Sequence, residues 1–287
     1  MVIQNEQVST RSELEVLKVE GWNQYDWLLH GFSTRDGGVS QVYGGSTLNL
    51  GWTKEDDPAS VAENRRRFLS AVCGQRPGSV LVGVKQIHSN IDRVVKKEDG
   101  ALEGRLQTPE GKAVLEGDGL ITDVPGVLLG VGTADCVPVL VADPVKRVVA
   151  AFHAGWRGTV SRIVERGVAK MQEEYGSRAA NLVAAIGPGI GPGCYTVGEE
   201  VWSEFGAQFD YAKELFTRSN DTGQTRLDLW EANRRQLLDA GLAENSVVTF
   251  GECTACTRIP GGALRYFSHR AEYGNAGRML NVIGVAP

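Results

Sequence analysis

The chain has 287 residues, of which 42% are hydrophobic, and a formal net charge of −5. This length and composition suffice for one large α/β domain, while the acidic balance argues against a nucleic-acid-binding surface. The sequence contains no run of about 18 apolar residues and no signal-peptide pattern at its start, and its five cysteines do not form a disulfide framework. We therefore expect a cytoplasmic protein with reduced thiols and no membrane span.

Mixed α/β structure is predicted along the first half of the chain. Residues 31–45 are typical of a glycine-rich loop and residues 47–50 of a short strand. Asp57 and Pro58 are a capping residue and a proline at the first helical position, so a helix is expected to begin there. Apolar runs then predict strands at residues 80–84, 91–95, 119–122 and 127–132.

Strands and helices also alternate along the second half. No linker or repeat divides the chain, so we expect a single domain over residues 1–287, with about the first 20 residues peripheral. The loop at residues 187–193 is rich in glycine and proline; its prolines remove backbone donors, so we expect a pocket wall and not a P-loop. The expected elements are strands at 148–152, 182–186, 246–250 and 266–268 and helices at 159–175, 199–205 and 229–240.

Three possible metal ligands accompany apolar runs. His88 follows the strand expected at 80–84, Cys136 lies in an apolar run, and His153 follows the strand expected at 148–152. Neighbouring strands would bring a thiolate and an imidazole side by side, and one cysteine with two histidines and an open fourth position is an arrangement that zinc uses in catalysis. The alternatives are histidines bonded to backbone at strand ends and a cysteine that acts as a small buried hydrophobe.

Acidic and basic residues beside these runs could line a pocket. Asp118 lies between two glycines, which predicts either a β-turn or a pocket acid. Asp135 interrupts an apolar run, so it either faces solvent or has a partner, because burial of a lone carboxylate is costly. Arg35 and Arg157 could hold an anion such as phosphate with the guanidinium fork, the alternative being surface arginines.

Cys253 and Cys256 form a single CxxC pair. A zinc ribbon needs further ligands, and the chain offers none at a suitable spacing, so we expect a mainly structural role. The signature of the nucleic-base deaminases is also absent, because His88 is followed by Ser-Asn and Cys253 is preceded by Glu252.

Several motifs occur in one order and together resemble a known family. Over roughly residues 25–285 the chain resembles proteins once called multicopper polyphenol oxidases or laccase-domain proteins. Members are now described as zinc-dependent purine nucleoside phosphorylases with adenosine deaminase and methylthioadenosine phosphorylase activities, and some bacterial members are named peptidoglycan editing factors. The motifs are STLNLG at 46–51, NRR at 64–66, KQIHS at 85–89, GDG at 117–119, TADCVP at 133–138, HAGWRGT at 153–159, IGPGIGP at 186–192 and CT at 253–254.

The resemblance implies a fold and a set of site residues. The fold would be a single mixed α/β domain of mixed β-sheets sandwiched by helices, similar to toxin deamidases and cysteine hydrolases. His88, Cys136 and His153 match the metal ligands, for zinc with copper as an alternative. The other implied groups are Asp118, Asp135 and Arg157 in catalysis and Arg35, Arg65, Ser46 and Asn49 in binding of substrate or phosphate.

The implied reaction is attack of phosphate on C1′ of adenosine, inosine, guanosine or methylthioadenosine, which gives the free base and a pentose 1-phosphate. Arginines would hold phosphate, an aspartate would move protons, and in deamination a metal-activated water would attack C6 of adenine. Two departures weaken parts of the pattern. Gly193 stands before Cys194 where the family often has two adjacent cysteines, and the segment 266–271 lacks one late arginine.

Three alternatives to this function remain. Cys136 and His153 could be the nucleophile and base of a cysteine hydrolase or deamidase in peptidoglycan precursor editing. Copper-dependent phenol oxidation is a second alternative, although a multicopper oxidase needs more histidines than the four in this chain. The third is a non-catalytic partner in cell-wall synthesis. The expected ligands are purine nucleosides and phosphate, and the sequence leaves the oligomeric state open.

Overall fold

The computed structural model describes residues 13–74, 76, 78–218 and 223–287. Its α-helices are α1 (Pro58–Cys73), α2 (Trp156–Val160), α3 (Ile163–Tyr175), α4 (Glu199–Gln208) and α5 (Leu229–Asp239). Its strands are β1 (Val16–Leu17), β2 (Leu28–Ser33), β3 (Asp36–Ser40), β4 (Val80–Gly83), β5 (Asp92–Val95), β6 (Gly119–Thr122), β7 (Val127–Thr133), β8 (Val137–Asp143), β9 (Val148–Ala154), β10 (Val183–Ile186), β11 (Thr196–Val197), β12 (Phe216–Arg218), β13 (Thr225–Leu227), β14 (Val247–Thr249) and β15 (Met279–Val285).

Two large sheets and one small sheet organise these strands. The five-stranded sheet has the order β1-β2-β15-β7-β4, and the six-stranded sheet has the order β14-β10-β8-β9-β6-β5. Most neighbours are antiparallel, but β4 runs parallel to β7, β5 to β6 and β10 to β14, so both sheets are mixed. The small sheet has the order β11-β13-β12.

The two large sheets pack face to face, and helices cover their outer faces. Alternate residues of a strand point to opposite sides, so in β8 Leu140 faces the other sheet and Val139 faces the helices. The helices α3 and α5 pack on the six-stranded sheet, and α1 packs on the five-stranded sheet. The resulting helix–sheet–sheet–helix order confirms the predicted fold class. The core between the sheets includes Phe32, Leu129, Leu140, Ala151 and Ile283.

Most predicted elements are confirmed within a few residues. The helix that begins at Pro58 has its cap on Asp57, whose side chain accepts the backbone N–H of Ser60. The predicted helix at 159–175 is two helices, because Arg162 adopts a left-handed conformation with φ of 61° between α2 and α3. The confirmed strands correspond to β4, β5, β6, β7, β9, β10 and β14, and the other confirmed helices are α4 and α5.

The prediction of a loop over residues 31–45 is wrong. β2 and β3 occupy much of this segment, and every residue of β2 is buried between its neighbours β1 and β15. Glycine at position 31 lets the side chain of Val16 pack directly on β2, because a Cβ at Gly31 would lie 2.5 Å from Cγ1 of Val16. Residues 47–50 form no strand either, since only Thr47 makes isolated bridges to β3.

The late part of the chain also differs from the prediction. Residues 266–268 form no strand, and the backbone N–H of Phe267 donates instead to Sδ of Met279. The last strand, β15, lies inside the five-stranded sheet and was not predicted. Within the segment predicted to be peripheral, β1 is the edge strand of this sheet and pairs with β2, and residues 1–12 lie outside the described residues. None of the described helices has the length and apolar composition that a membrane span needs.

Candidate metal centre and substrate cavity

His88 lies in the turn between β4 and β5. Its backbone has φ of 58°, a left-handed conformation that is unfavourable for a side chain with a Cβ. The carboxylate of Asp118 holds this turn, since Oδ1 accepts the backbone N–H of His88 at 3.1 Å and Oδ2 accepts the backbone N–H of Ser89 at 2.6 Å. The turn therefore presents the His88 side chain at the end of the five-stranded sheet.

Cys136 lies in the short connection from β7 to β8, where the chain passes from one large sheet to the other. The preceding residue, Asp135, has φ of 92°. Its carboxylate accepts three hydrogen bonds, from the hydroxyls of Thr254 and Ser268, both at 2.7 Å, and from the backbone N–H of Arg270 at 2.6 Å. These bonds fix the turn that positions the Cys136 thiol.

His153 lies near the end of β9, opposite Pro138 of β8, and is 4% exposed. Its Nδ1 atom lies 2.8 Å from Oδ1 of Asp118, and its backbone N–H donates to the carbonyl oxygen of Asp118. The hydrogen-bond pattern assigns the proton to Nδ1, which leaves Nε2 as the ligand atom. A carboxylate behind a histidine is the usual support of a metal-binding imidazole.

The ligand atoms of His88, Cys136 and His153 all lie within 4.8 Å of one another. The rings of the two histidines are 5.0 Å apart between centroids, in an edge-on arrangement. Gly155 leaves space beside them, because a Cβ there would lie 3.0 Å from Sγ of Cys136 and 3.3 Å from Cδ2 of His88. Two imidazoles and one thiolate suit zinc, so these residues fit the metal that the sequence implies.

Cys136, His153 and Asp118 each stabilise the charged form of a neighbour. Burial alone would raise the pKa of Cys136, but the neighbouring His153 and His88 outweigh burial and lower it. Burial would likewise lower the pKa of His153, yet the Cys136 thiolate and the Asp118 carboxylate raise it. The pKa of Asp118 lies well below its usual range, because its hydrogen bonds to His153 and Ser89 outweigh its burial. A thiolate is therefore favoured at Cys136.

A cavity of about 910 Å³ extends from His88, Cys136 and His153 to Arg65 of helix α1. On one side it lies over Gly83, Gly130 and Gly132, whose missing side chains leave the sheet surface open. Aromatic rings of Trp52 and Tyr195 contribute to its walls. Its lining also carries positively charged side chains, namely Arg65, Lys85, Lys112, Arg270 and Arg278.

Arg65 and Asp135 are predicted site residues that line the cavity. The Arg65 guanidinium lies over the ring of Trp52, and its Nε donates to the carbonyl oxygen of Leu50 at 2.8 Å. Burial lowers the pKa of Arg65 to about 10, so the group remains a cation at neutral pH. Asp135 contacts the cavity, but its carboxylate is bonded to the donors that hold the Cys136 turn.

Arg35, Ser46 and Asn49 do not line the cavity. Arg35 forms an ion pair with Glu272 at 2.7 Å, and its side chain is only 14% exposed, so we assign it a structural role. Ser46 is exposed in a turn with φ of 43°. Asn49 is fully buried and accepts the backbone N–H of Arg278, so its contribution to the cavity is indirect.

Asp118 and Arg157 also lie outside the lining. Asp118 has no exposed surface and contacts the site only through His153 and the turn at His88, which makes it a positioning residue. Arg157 is exposed on α2, with its guanidinium 4.4 Å from the centroid of the Trp156 ring. This position gives Arg157 no direct contact with the cavity.

The sequence prediction missed several cavity residues. Arg270 lines the cavity, so a positive charge is retained at the late segment where the resemblance suggested a weakened one. Arg278 follows a buried Gly277 and has no local motif that separates it from a surface arginine. Trp52 and Lys112 lie in irregular segments, and only the tertiary fold brings them together.

Most of the chain matches a known protein family. A family model described as "Multi-copper polyphenol oxidoreductase laccase" matches residues 29–286. The chain belongs to this family. In the described part of this chain, two groups of three possible metal ligands occur.

Relatives within the laccase family carry more specific names. A protein of Deinococcus radiodurans named "Purine nucleoside phosphorylase" is 39% identical over 257 residues, which cover 89% of this chain and 88% of the relative. "Adenosine deaminase RL5", from an unknown prokaryotic organism, is 36% identical over 256 residues, which cover 89% and 93%. The crystal structure of the hypothetical protein YfiH from Bacillus licheniformis matches with a TM-score of 0.81 and 33% identity, covering 94% and 96%.

Proposed function

We propose that this protein is a zinc-dependent purine nucleoside phosphorylase that also deaminates adenosine. Its substrates would be adenosine, inosine, guanosine or methylthioadenosine with phosphate, and its products the free base and a pentose 1-phosphate. The observation that carries the proposal is that the His88, Cys136 and His153 side chains open into the same cavity as Arg65 and Arg278. The names of the relatives in Deinococcus radiodurans and of RL5 support the two activities.

The cavity has the size and lining that a nucleoside and phosphate require. Its volume of about 910 Å³ lies at the upper end of the usual range for small-molecule sites. Trp52 and Tyr195 offer ring faces for a purine, since aromatic rings stack on bases at a favourable energy. Arginines at two ends of the cavity could hold phosphate with paired hydrogen bonds.

Arg65 and Arg278 form the first of these two anion-binding positions. Arg65 donates to the carbonyl oxygen of Leu50, and the Arg278 side chain lies against Gly51, where a Cβ would be 2.6 Å from Cγ of Arg278. Both side chains therefore pack against residues 50–51, and Nη1 of Arg278 donates to the carbonyl oxygens of Ala276 and Gly277. Arg270 lies at the other position, beside Tyr195 and nearer the metal ligands.

The chain's own groups would act by orientation and electrostatics. Cations on the cavity wall would hold phosphate in line with C1′ and stabilise its charge. Asp118 fixes the orientation of His153, and Asp135 fixes the turn of Cys136. When bound by His88, Cys136 and His153, zinc would supply Lewis acidity at one end of the cavity.

A chromatographic assay of products tests the proposal. Purified protein of known metal content would receive adenosine or inosine, each with and without phosphate, beside a His88→Ala control. Phosphate-dependent release of adenine or hypoxanthine that is lost in the control would support phosphorolysis, and phosphate-independent conversion of adenosine to inosine would support deamination. No turnover of either nucleoside by zinc-loaded protein would contradict the proposal.

The proximity of Cys136 and His153 favours a second candidate, a metal-independent cysteine hydrolase or deamidase in peptidoglycan precursor editing. The opposite shifts of their pKa values are those of a nucleophile and its base. Such an enzyme would need Cys136 and His153 but would tolerate His88→Ala. Hydrolysis of a peptidoglycan precursor by chelator-treated protein, retained in His88→Ala and lost in Cys136→Ser, would establish this alternative.

A further inference from the structure

A second group of cysteines lies apart from the three proposed metal ligands. Cys194 follows the glycine- and proline-rich loop, and Cys253 and Cys256 form the CxxC pair more than fifty residues later. The structure brings their three sulfur atoms within 4.8 Å of one another. The sequence prediction found no further ligand for the CxxC pair, and the fold supplies Cys194 as that ligand.

The backbones of the two segments are joined beside these sulfurs. Gly189 and Cys253 form an isolated parallel bridge, in which the backbone N–H of Thr254 donates to the carbonyl oxygen of Gly189 at 3.0 Å. The backbone N–H of Gly191 donates to Sγ of Cys253 at 3.1 Å. This bond fixes the position of the Cys253 sulfur relative to the loop that leads to Cys194.

Close packing keeps Gly191 in this position. A Cβ there would lie 3.1 Å from Cβ of Cys253 and 2.8 Å from Cη2 of Trp230, so a larger residue would push the loop away from the sulfurs. Within the CxxC pair, the backbone N–H of Thr257 donates to the carbonyl oxygen of Cys253 at 2.9 Å. This turn brings Sγ of Cys256 back towards Cys253.

The chemistry of this group differs from that of the first site. All three of its ligand atoms are sulfur, and thiolate sets select soft metals. Cys253 is buried, Cys194 is partly exposed and Cys256 is exposed, so a cation could enter from solvent and keep an open position there. We propose that Cys194, Cys253 and Cys256 form a second, thiolate-only site for a thiophilic divalent cation such as Zn²⁺ or Cd²⁺.

A cation at this site would cross-link the loop at 187–193, which forms part of the cavity wall, to the CxxC segment behind it. Ile190, within the loop that leads to Cys194, and Tyr195, the residue after Cys194, both line the cavity. Thr254, within the CxxC pair, donates to the carboxylate of Asp135 at 2.7 Å. A cation that binds the folded state and not the unfolded chain would raise the free energy of unfolding by mass action. The second site stands on its own contacts and does not depend on the proposed nucleoside chemistry.

Titration with Cd²⁺ in a non-thiol reductant tests the proposal. The background would be the full chain with His88→Ala and Cys136→Ser, which removes the first group. We expect one Cd²⁺ per chain, a thiolate-to-cadmium absorption band in the ultraviolet, and a rise in Tm on binding. Cys194→Ser and Cys256→Ser in this background should each weaken Cd²⁺ binding at least tenfold and remove most of the rise in Tm.

Cys73→Ser provides the matched control, because Cys73 belongs to neither group of ligands. It should leave the stoichiometry, the absorption band and the affinity unchanged. The exposed position of Cys256 makes Cys256→Ser the variant that should keep its fold, which circular dichroism would verify. A background protein that binds no Cd²⁺, or binding that survives both Cys194→Ser and Cys256→Ser, would overturn the proposal.

Discussion

The Oδ1 atom of Asp118 lies 2.8 Å from Nδ1 of His153, in an environment that leaves Asp118 no exposed surface. The same oxygen accepts the backbone N–H of His88 at 3.1 Å. One carboxylate therefore orients two of the three proposed ligands, one through its ring and the other through its backbone. Its effect on the site should be large although it does not contact the cavity.

Asp118→Asn should weaken zinc binding by about 10- to 100-fold, the usual cost of losing a carboxylate behind a ligating histidine. The amide removes the negative charge and places a donor against the N–H groups of the turn. Competition with a chromophoric chelator measures the affinity. Asp123→Asn is the control, because Asp123 is exposed. Equal zinc affinities of Asp118→Asn and wild type would show that Asp118 does not support the site.

Gly155→Ala should lower zinc occupancy without changing any ligand. The added Cβ would lie 3.0 Å from Sγ of Cys136 and 3.3 Å from Cδ2 of His88, so one of these ligands must shift. Gly206→Ala is the matched control, because nothing lies within 4 Å of a Cβ at Gly206. Elemental analysis and calorimetry would compare the two variants. Full zinc occupancy in Gly155→Ala would mean that the site adapts to the extra methyl group.

Arg278→Gln should raise the KM for phosphate by about tenfold or more, since a hydrogen bond to a charged group contributes about 1.5–3 kcal/mol. The side chains of Arg278 and Arg65 both line the cavity and both approach residues 50–51. Initial rates at varied phosphate and fixed inosine measure the effect. Arg178→Gln, at an exposed position, should leave the KM unchanged. A normal KM in Arg278→Gln would move the phosphate position to the Arg270 end.

Asp92→Asn should make the protein more stable at neutral and higher pH. Burial raises the pKa of Asp92 to about 7, and its Oδ1 has no hydrogen-bond partner among the described residues. The folded state therefore holds this proton more tightly than the unfolded chain does. The wild type should lose up to about 1.4 kcal/mol of unfolding free energy per pH unit from about pH 4 to the folded pKa, and no more above it.

Urea unfolding of wild type and Asp92→Asn at pH 5 and pH 8 measures this effect. The advantage of the variant should be larger at pH 8. Asp210→Asn, an exposed substitution, controls for the loss of a carboxylate and should show a smaller change between the two pH values. An advantage of Asp92→Asn that is the same at both pH values would indicate that Asp92 is not buried as a titrating group.

The three proposed ligands could be predicted to lie close together because each is within or next to an apolar run. The local apolar pattern predicts where a strand lies and therefore which residues are near its ends. The packing of the two sheets then brings His88, Cys136 and His153 together. The central strand β15 was harder to recognise, because Asn281 and Gly284 interrupt its apolar pattern. Asn281 is buried with its amide bonded to the carbonyl of Val131, and both features depend on tertiary neighbours.

The arginines show where sequence reasoning fails. Arg35 and Arg278 both lie in glycine-containing segments, and nothing local distinguishes them. Arg35 lies outside the cavity and forms an ion pair with Glu272, a residue more than two hundred positions later in the sequence. The sequence also did not predict that Cys194 lies near the CxxC pair. Their proximity depends on a long-range contact, the bridge between Gly189 and Cys253.

The passage of the chain between the two large sheets at Cys136 has a consequence for folding. His88 follows a strand of one sheet, His153 belongs to the other, and Cys136 lies at the crossing. The three proposed ligands cannot come together in either sheet alone, so we expect high-affinity metal binding only after both sheets have docked. Newly made protein would then pass through an assembled but metal-free state, and the rate of metal uptake would report on the maturation of the whole sandwich.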